Sequence, residues 1–340
     1  MTVAVHLRPE PNRDSNGAGS IAFAKVNLMA TMTGPPAAAA RAGASRERFR
    51  RFAWFVLAWN LLVVLWGAYV RASGSGAGCG SRWPLCNGEV VPRAPQIATV
   101  IEFTHRISSG VALTLVAILC VWAFYSFPRG AMVRRTAVLS VLFIVTEALL
   151  GAGLVLLRYV AQNESAGRAI YLSAHLVNTQ LLLAVLAMTA FLAAPNEPRF
   201  TEPWSKALFA TLMVALAVSI TGAVAALGDT LYPAAGITED FSPTASLFLR
   251  LRLLHPAVAI VGGVYIAIAA FTRTHEQGTR RLAFTATILA LFQLCAGAIN
   301  VVLRAPIPMQ IIHLLLADLL WVALVLLFLR AREADRPTLA

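Results

Sequence analysis

Six histidines stand in the 340-residue chain, and four of them are placed where chemistry is expected. His6 lies in a polar leader and His275 in a basic loop. His105, His175, His255 and His313 lie inside long apolar blocks. A single histidine in an apolar helix is readily explained as a helix–helix hydrogen bond. Each of these four sits six to eight residues from the same-side end of its block, about 9–12 Å deep at 1.5 Å per residue. Two imidazoles facing each other at equal depth in a helix bundle can supply both axial ligands of a heme iron. The four therefore read as two such pairs, with structural histidines and a non-heme metal as the alternatives.

Other reactive side chains cluster at the same depth. Glu102 is three residues before His105, on one helix face. An ionisable acid buried in lipid points to function, although a simple ion pair with a nearby arginine explains it too. Arg252 holds the corresponding position before His255, so the two sites differ chemically. Cys79 and Cys86 share a Gly-rich polar loop on what reads as the oxidising side, where a disulfide persists. Such a disulfide is either redox-active or a staple for the loop. Two thiols with no neighbouring histidine make a poor zinc site. Arg71, Arg158, Arg250, Arg252 and Arg304 stand at outer helix ends, where they can meet the anionic propionates of a heme or serve as interfacial anchors. Glu147 and Asp318 are further buried acids, and Cys120 and Cys295 read as small buried hydrophobes.

These residues need helices to hold them. The chain is 58% hydrophobic and only 13% charged. The apolar residues fall in eight blocks, roughly 52–71, 98–126, 136–157, 169–193, 205–227, 247–272, 282–303 and 307–329, about the length that crosses a bilayer as a helix. The fold class expected is therefore an all-α integral membrane protein with eight transmembrane helices. The net charge of +12 does not indicate nucleic acid, because the basic residues sit between apolar blocks. Lys and Arg concentrate in the N-terminal tail, the even loops and the C-terminus, which predicts both termini in the cytoplasm. Block three reads Glu147-Ala-Leu-Leu-Gly151 and ends at Arg158; block seven reads Gln293-Leu-Cys-Ala-Gly297 and ends at Arg304. This repeat predicts two tandem four-helix bundles in a parallel pseudo-twofold arrangement. The expected organisation is a disordered tail over 1–50, a first bundle over 51–195, a second over 196–330 and a short tail over 331–340.

The stretch Gly67-Ala-Tyr-Val-Arg71-Ala-Ser-Gly-Ser-Gly-Ala-Gly-Cys79, followed by Trp83-Pro-Leu-Cys86-Asn-Gly, resembles the first-loop signature of the heme A synthase family. Glu102-Phe-Thr-His105-Arg106 and the four histidine-bearing helices extend the resemblance over roughly residues 52 to 330. It implies an oxidoreductase that converts a ring methyl of heme O to a formyl group, giving heme A for terminal oxidases. It also implies that His105 and His175 bracket the substrate heme, with Arg71 and Arg158 beside it. His255 and His313 would ligate a resident heme b, with Arg252 and Arg304 beside it. Glu102 matches the family's catalytic acid, and Cys79 and Cys86 its loop pair. The partners implied are heme O synthase, cytochrome oxidase assembly, membrane lipid and an unnamed electron donor. A di-heme electron carrier of the cytochrome b type is the alternative, but it needs neither an acid nor thiols at one site only. Three features depart from the family pattern: Glu147 where Gln is expected, Asp229, Glu239 and Asp240 in place of a second cysteine pair, and the N-terminal tail.

Overall fold

Alanine, the strongest helix former, opens the first helix. In the computed structural model, α1 spans Ala37–Ala72, starting in the run Ala-Ala-Ala-Ala-Arg-Ala. Among the described residues seven more α-helices follow: α2 Ile97–Ser126, α3 Met132–Leu156, α4 Ala166–Leu192, α5 Lys206–Leu231, α6 Leu247–Phe271, α7 Arg280–Val302 and α8 Ile307–Arg330. The structure describes residues 37–194, 198, 200–203, 205–232, 242–243 and 246–333. All eight helices are long and apolar enough to cross a membrane, and the chain is a multi-pass membrane protein. Ser45–Ala340 forms one compact unit; of the other, Met1–Ala44, only the helical residues from Ala37 are described.

Local chemistry marks the helix ends. Ser165, Ser205 and Ser246 cap α4, α5 and α6, their hydroxyls accepting from the backbone N–H of Arg168, Leu208 and Leu249. Helices α3 and α7 end alike. Arg158 and Arg304 both take left-handed backbone angles, with φ of 56° and 59°. In each case a paired set of backbone bonds closes the end: Arg158 N–H to Val155 O with Tyr159 N–H to Leu154 O, and Arg304 N–H to Val301 O with Ala305 N–H to Asn300 O. That is a Schellman-type end, where glycine is usual. A side chain in this region costs about 1–2 kcal/mol, so arginine at both ends is a matched departure from the rule.

Two helices carry most of the burial. The apolar window of α4 is 67% buried and that of α8 is 44%, against 28% or less for each of the others. Helix α4 packs on α3, α5 and α8, and α8 also packs on α5 and α7. The histidine-bearing helices α4 and α8 thus form the centre, and the remaining helices present apolar faces outward.

Three expectations change. The tail expected to be disordered to residue 50 is helical from Ala37, because the alanine run extends the helix that the apolar block nucleates; residues 1–36 lie outside the described residues, as do 334–340 of the C-terminal tail. Asp229 belongs to the last turn of α5 rather than to a loop, while Glu239 and Asp240 lie outside the described residues. Cys295 is exposed on α7 and Cys120 only partly buried.

Candidate functional site

At the outer end of α2, Glu102 is buried and fully engaged. Its Oε1 accepts from Arg106 Nε at 3.1 Å and Nη2 at 2.5 Å, and its Oε2 accepts from the backbone N–H of Cys79 at 2.8 Å. Arg106 is thus the compensating cation, four residues on along the same face. Cys79 and Cys86 form the expected disulfide. Both are essentially inaccessible, at 0% and 1% exposure, which favours a staple over an open redox pair. The loop lies so close to α2 that a Cβ at Gly78 would fall 2.3 Å from the Ala98 carbonyl oxygen; only glycine fits there.

Each of the four histidines rests on a glycine of the preceding helix. A Cβ at Gly67 would meet His105 Cε1 at 2.9 Å; the values are 3.9 Å for Gly151 against His175, and 3.1 Å for both Gly222 against His255 and Gly297 against His313. The sequence repeat contained Gly151 and Gly297. The role of Gly67 and the involvement of Gly222 were missed, because the spacing from glycine to histidine varies from one hairpin to the next.

Around the first pair, Glu147 lies at the α3–α4 contact. It accepts from Asn178 Nδ2 at 2.6 Å and from the Thr179 hydroxyl, and its Oε1 is 3.4 Å from His175 Nδ1 without the alignment of a hydrogen bond. Glu147 thus bonds α3 to α4 beside a histidine. Among the described residues the buried Nδ1 atoms of His105 and His175 have no hydrogen-bond partner. In the second pair, the His255 and His313 ring centroids are 6.4 Å apart. Thr221 Oγ1 lies 3.0 Å from His255 Nδ1, and Gln293 Nε2 lies 3.3 Å from His313 Nε2. Glu147 and Gln293, matched in the repeat, thus each neighbour a histidine ring.

The chain matches the family model described as cytochrome oxidase assembly protein, COX15-CtaA, over residues 50–325. The chain belongs to this family. The span includes the disulfide loop and all four apolar-block histidines. Two relatives from Thermus thermophilus, each named protoheme IX farnesyltransferase, are 47% identical over 297 residues, covering 84% of this chain and 49% of theirs. The chain therefore spans about half the length of those relatives. Heme A synthases of Exiguobacterium sibiricum and Alkalihalophilus pseudofirmus are each 29% identical, over 83% and 91% of their own lengths.

The ring separation of the second pair is that of two imidazoles on one heme iron. Two imidazoles bound to one metal from opposite sides, with bonds of about 2.0–2.1 Å, have ring centres roughly 6 Å apart, and His255 and His313 match that separation. A hydroxyl on the far ring nitrogen, as Thr221 provides, is the outer partner that orients a ligating histidine. Among the described residues no group of three or more His, Cys, Asp or Glu side chains is placed to hold a bare metal ion.

The outer arginines divide into two kinds. Arg158 and Arg304 are exposed; among the described residues they make no side-chain bond, and their guanidinium groups are available to an anion. Arg71 and Arg252 are committed. Arg252 Nη1 meets Asp229 Oδ1 at 3.3 Å. Arg71 reaches into the second half, donating to Ala226 O at 2.6 Å, Thr230 Oγ1 at 2.5 Å and Gln310 Oε1 at 3.0 Å. The resemblance implies a place for Arg71 beside the first histidine pair; its hydrogen bonds run to α5 and α8.

Proposed function

We propose that this chain is a heme A synthase, oxidising the ring methyl of heme O to the formyl group of heme A. The observation that carries this reading is the unequal equipment of the two histidine pairs. The helix of His105 bears Glu102 and the disulfide loop, whereas the matching position before His255 bears Arg252, paired with Asp229. A passive electron carrier has no use for that asymmetry. Relatives named heme A synthase align over most of their length, which supports the same reading.

In this reading His255 and His313 hold a heme b, with the exposed Arg304 toward its propionates. His105 and His175 bracket heme O, with the exposed Arg158 toward its outer edge. Bound heme supplies iron that exchanges single electrons. The residues do the rest. Glu102 and Arg106 keep a neutralised ion pair beside the substrate helix, and Glu102 can take up a proton as hydrogen leaves the methyl carbon. Thr221 keeps His255 Nε2 free to ligate. Glu147 holds α3 to α4, fixing the depth of His175. The net change removes hydrogen from the methyl carbon and places on it one oxygen taken from water, the displaced hydrogens leaving as protons and the electrons passing to an acceptor outside this chain.

The protein would sit in the cell membrane with both termini cytoplasmic, as its Lys and Arg distribution indicates. The name of the Thermus relatives, which extend well beyond the match, suggests that a farnesyltransferase supplies the prenylated substrate. The product would pass to cytochrome oxidase assembly. Extraction and mass analysis of the hemes in purified protein tests the reading. Heme b together with heme O or heme A is expected; heme b alone, from cells that contain heme O, overturns it in favour of the electron carrier.

A further inference from the structure

We propose that Arg106 is the positioning residue that locks the Cys79–Cys86 loop onto α2 and closes its disulfide to external thiols. The guanidinium is used from both sides. Nε and Nη2 hold Glu102 Oε1, and Nη1 points the other way, donating to the carbonyls of Arg82 at 2.9 Å, Leu85 at 2.9 Å and Pro84 at 3.4 Å. Glu102 in turn takes the Cys79 N–H. One ion pair therefore grips both arms of the disulfide-closed ring: Glu102 the arm at Cys79, Arg106 the arm at residues 82–85.

A third anchor comes from the same helix. The Thr99 hydroxyl donates to Gly78 O at 2.8 Å, and Asn87 adds a bond to that carbonyl at 3.2 Å. Residues 99, 102 and 106 lie on one face of α2 at three- and four-residue spacing. His105 stands among them on the same helix. Side-chain exposure of Arg106 and Glu102 is 13% and 5%, and the two sulfurs are covered. A reductant reaches the disulfide only when this clamp opens. Lysine cannot replace the planar fork, because one ammonium does not face a carboxylate and three carbonyls on opposite sides.

The test is thiol trapping on the folded, purified protein. The protein is treated with dithiothreitol, which reduces the disulfide to two thiols; maleimide then labels them and mass analysis times the labelling. Arg106→Ala and Arg106→Lys are both expected to speed reduction of Cys79–Cys86 by roughly tenfold or more, the scale of losing hydrogen bonds to a charged group. Glu102→Gln should do so less, since its amide oxygen still accepts the Cys79 N–H. Cys120, on α2 and only partly buried, is the internal control. Labelling of Cys120 must stay at the wild-type rate. An unchanged disulfide rate in the lysine variant, or a parallel rise at Cys120, overturns the proposal, the latter by showing general loosening. If Arg106→Ala does not accumulate, the lysine variant decides alone. The measurement needs no turnover, so its outcome is independent of whether heme A is made.

Discussion

Gln180 and Asp318 hold the same register in the two halves, five residues after His175 and five after His313, and they bond to each other. Gln180 Nε2 donates to Asp318 Oδ1 at 3.0 Å across the α4–α8 contact, with both side chains buried. Among the described residues two acceptors are left over: Asp318 Oδ2 and Gln180 Oε1 are buried with no hydrogen-bond partner. Asp318→Asn supplies an N–H that can serve Gln180 Oε1 while keeping the existing bond. Its melting temperature should equal or exceed the wild type's. Asp318→Ala strands the Gln180 amide and should cost about 1–3 kcal/mol. Thermal melts of the detergent-solubilised protein check this; an Asn variant as unstable as the Ala variant would contradict it.

The glycines beneath the histidines predict a graded series. Gly67→Ala drives a methyl to 2.9 Å from the His105 ring, where a rigid imidazole must shift; Gly151→Ala leaves an ordinary 3.9 Å contact to His175. The first change should cost about 1–3 kcal/mol, in the range of overpacking, and disturb pigment bound at the first pair. The second should be nearly silent. Equal effects in absorption spectra and melts would show that the histidine–glycine contact does not govern the site.

Arg71 separates two roles by readout. Its bonds to Ala226, Thr230 and Gln310 make it a strut between α1 and the second half. Arg71→Ala should then lower stability by about 1.5–3 kcal/mol, as for hydrogen bonds to a charged group, with lysine only partly restoring it. Loss of substrate heme with an unchanged melting curve would return Arg71 to substrate binding.

The second histidine pair should carry a permanent six-coordinate heme b. His255→Ala and His313→Ala should each abolish the low-spin spectrum, while His105→Ala keeps it. A normal low-spin spectrum in both second-pair variants would remove these ligands from heme b.

Glu102→Gln keeps the shape of the side chain and its bond to the Cys79 N–H but loses the ion pair to Arg106. Heme b should remain, heme O should still bind, and heme A should fail to accumulate in cells. Wild-type heme A levels in that variant would restrict Glu102 to holding the loop.

Much of this molecule was legible in its residues alone. Eight spans, four histidines at one depth, the Glu147/Gln293 and Arg158/Arg304 registers and the Cys79–Cys86 pair all follow from local properties. Apolar length, helical periodicity and loop charge act within a few turns of chain, and a lipid solvent leaves the backbone little choice but helix. Partner choice across helices is another matter. Arg71 finds its acceptors 155, 159 and 239 residues away. Gln180 finds Asp318 138 residues away, and Gly222 supports His255 from a helix whose sequence carries no spacing signal. Such pairings depend on the rotation and depth of whole helices against one another, and these are set by close packing summed over many side chains.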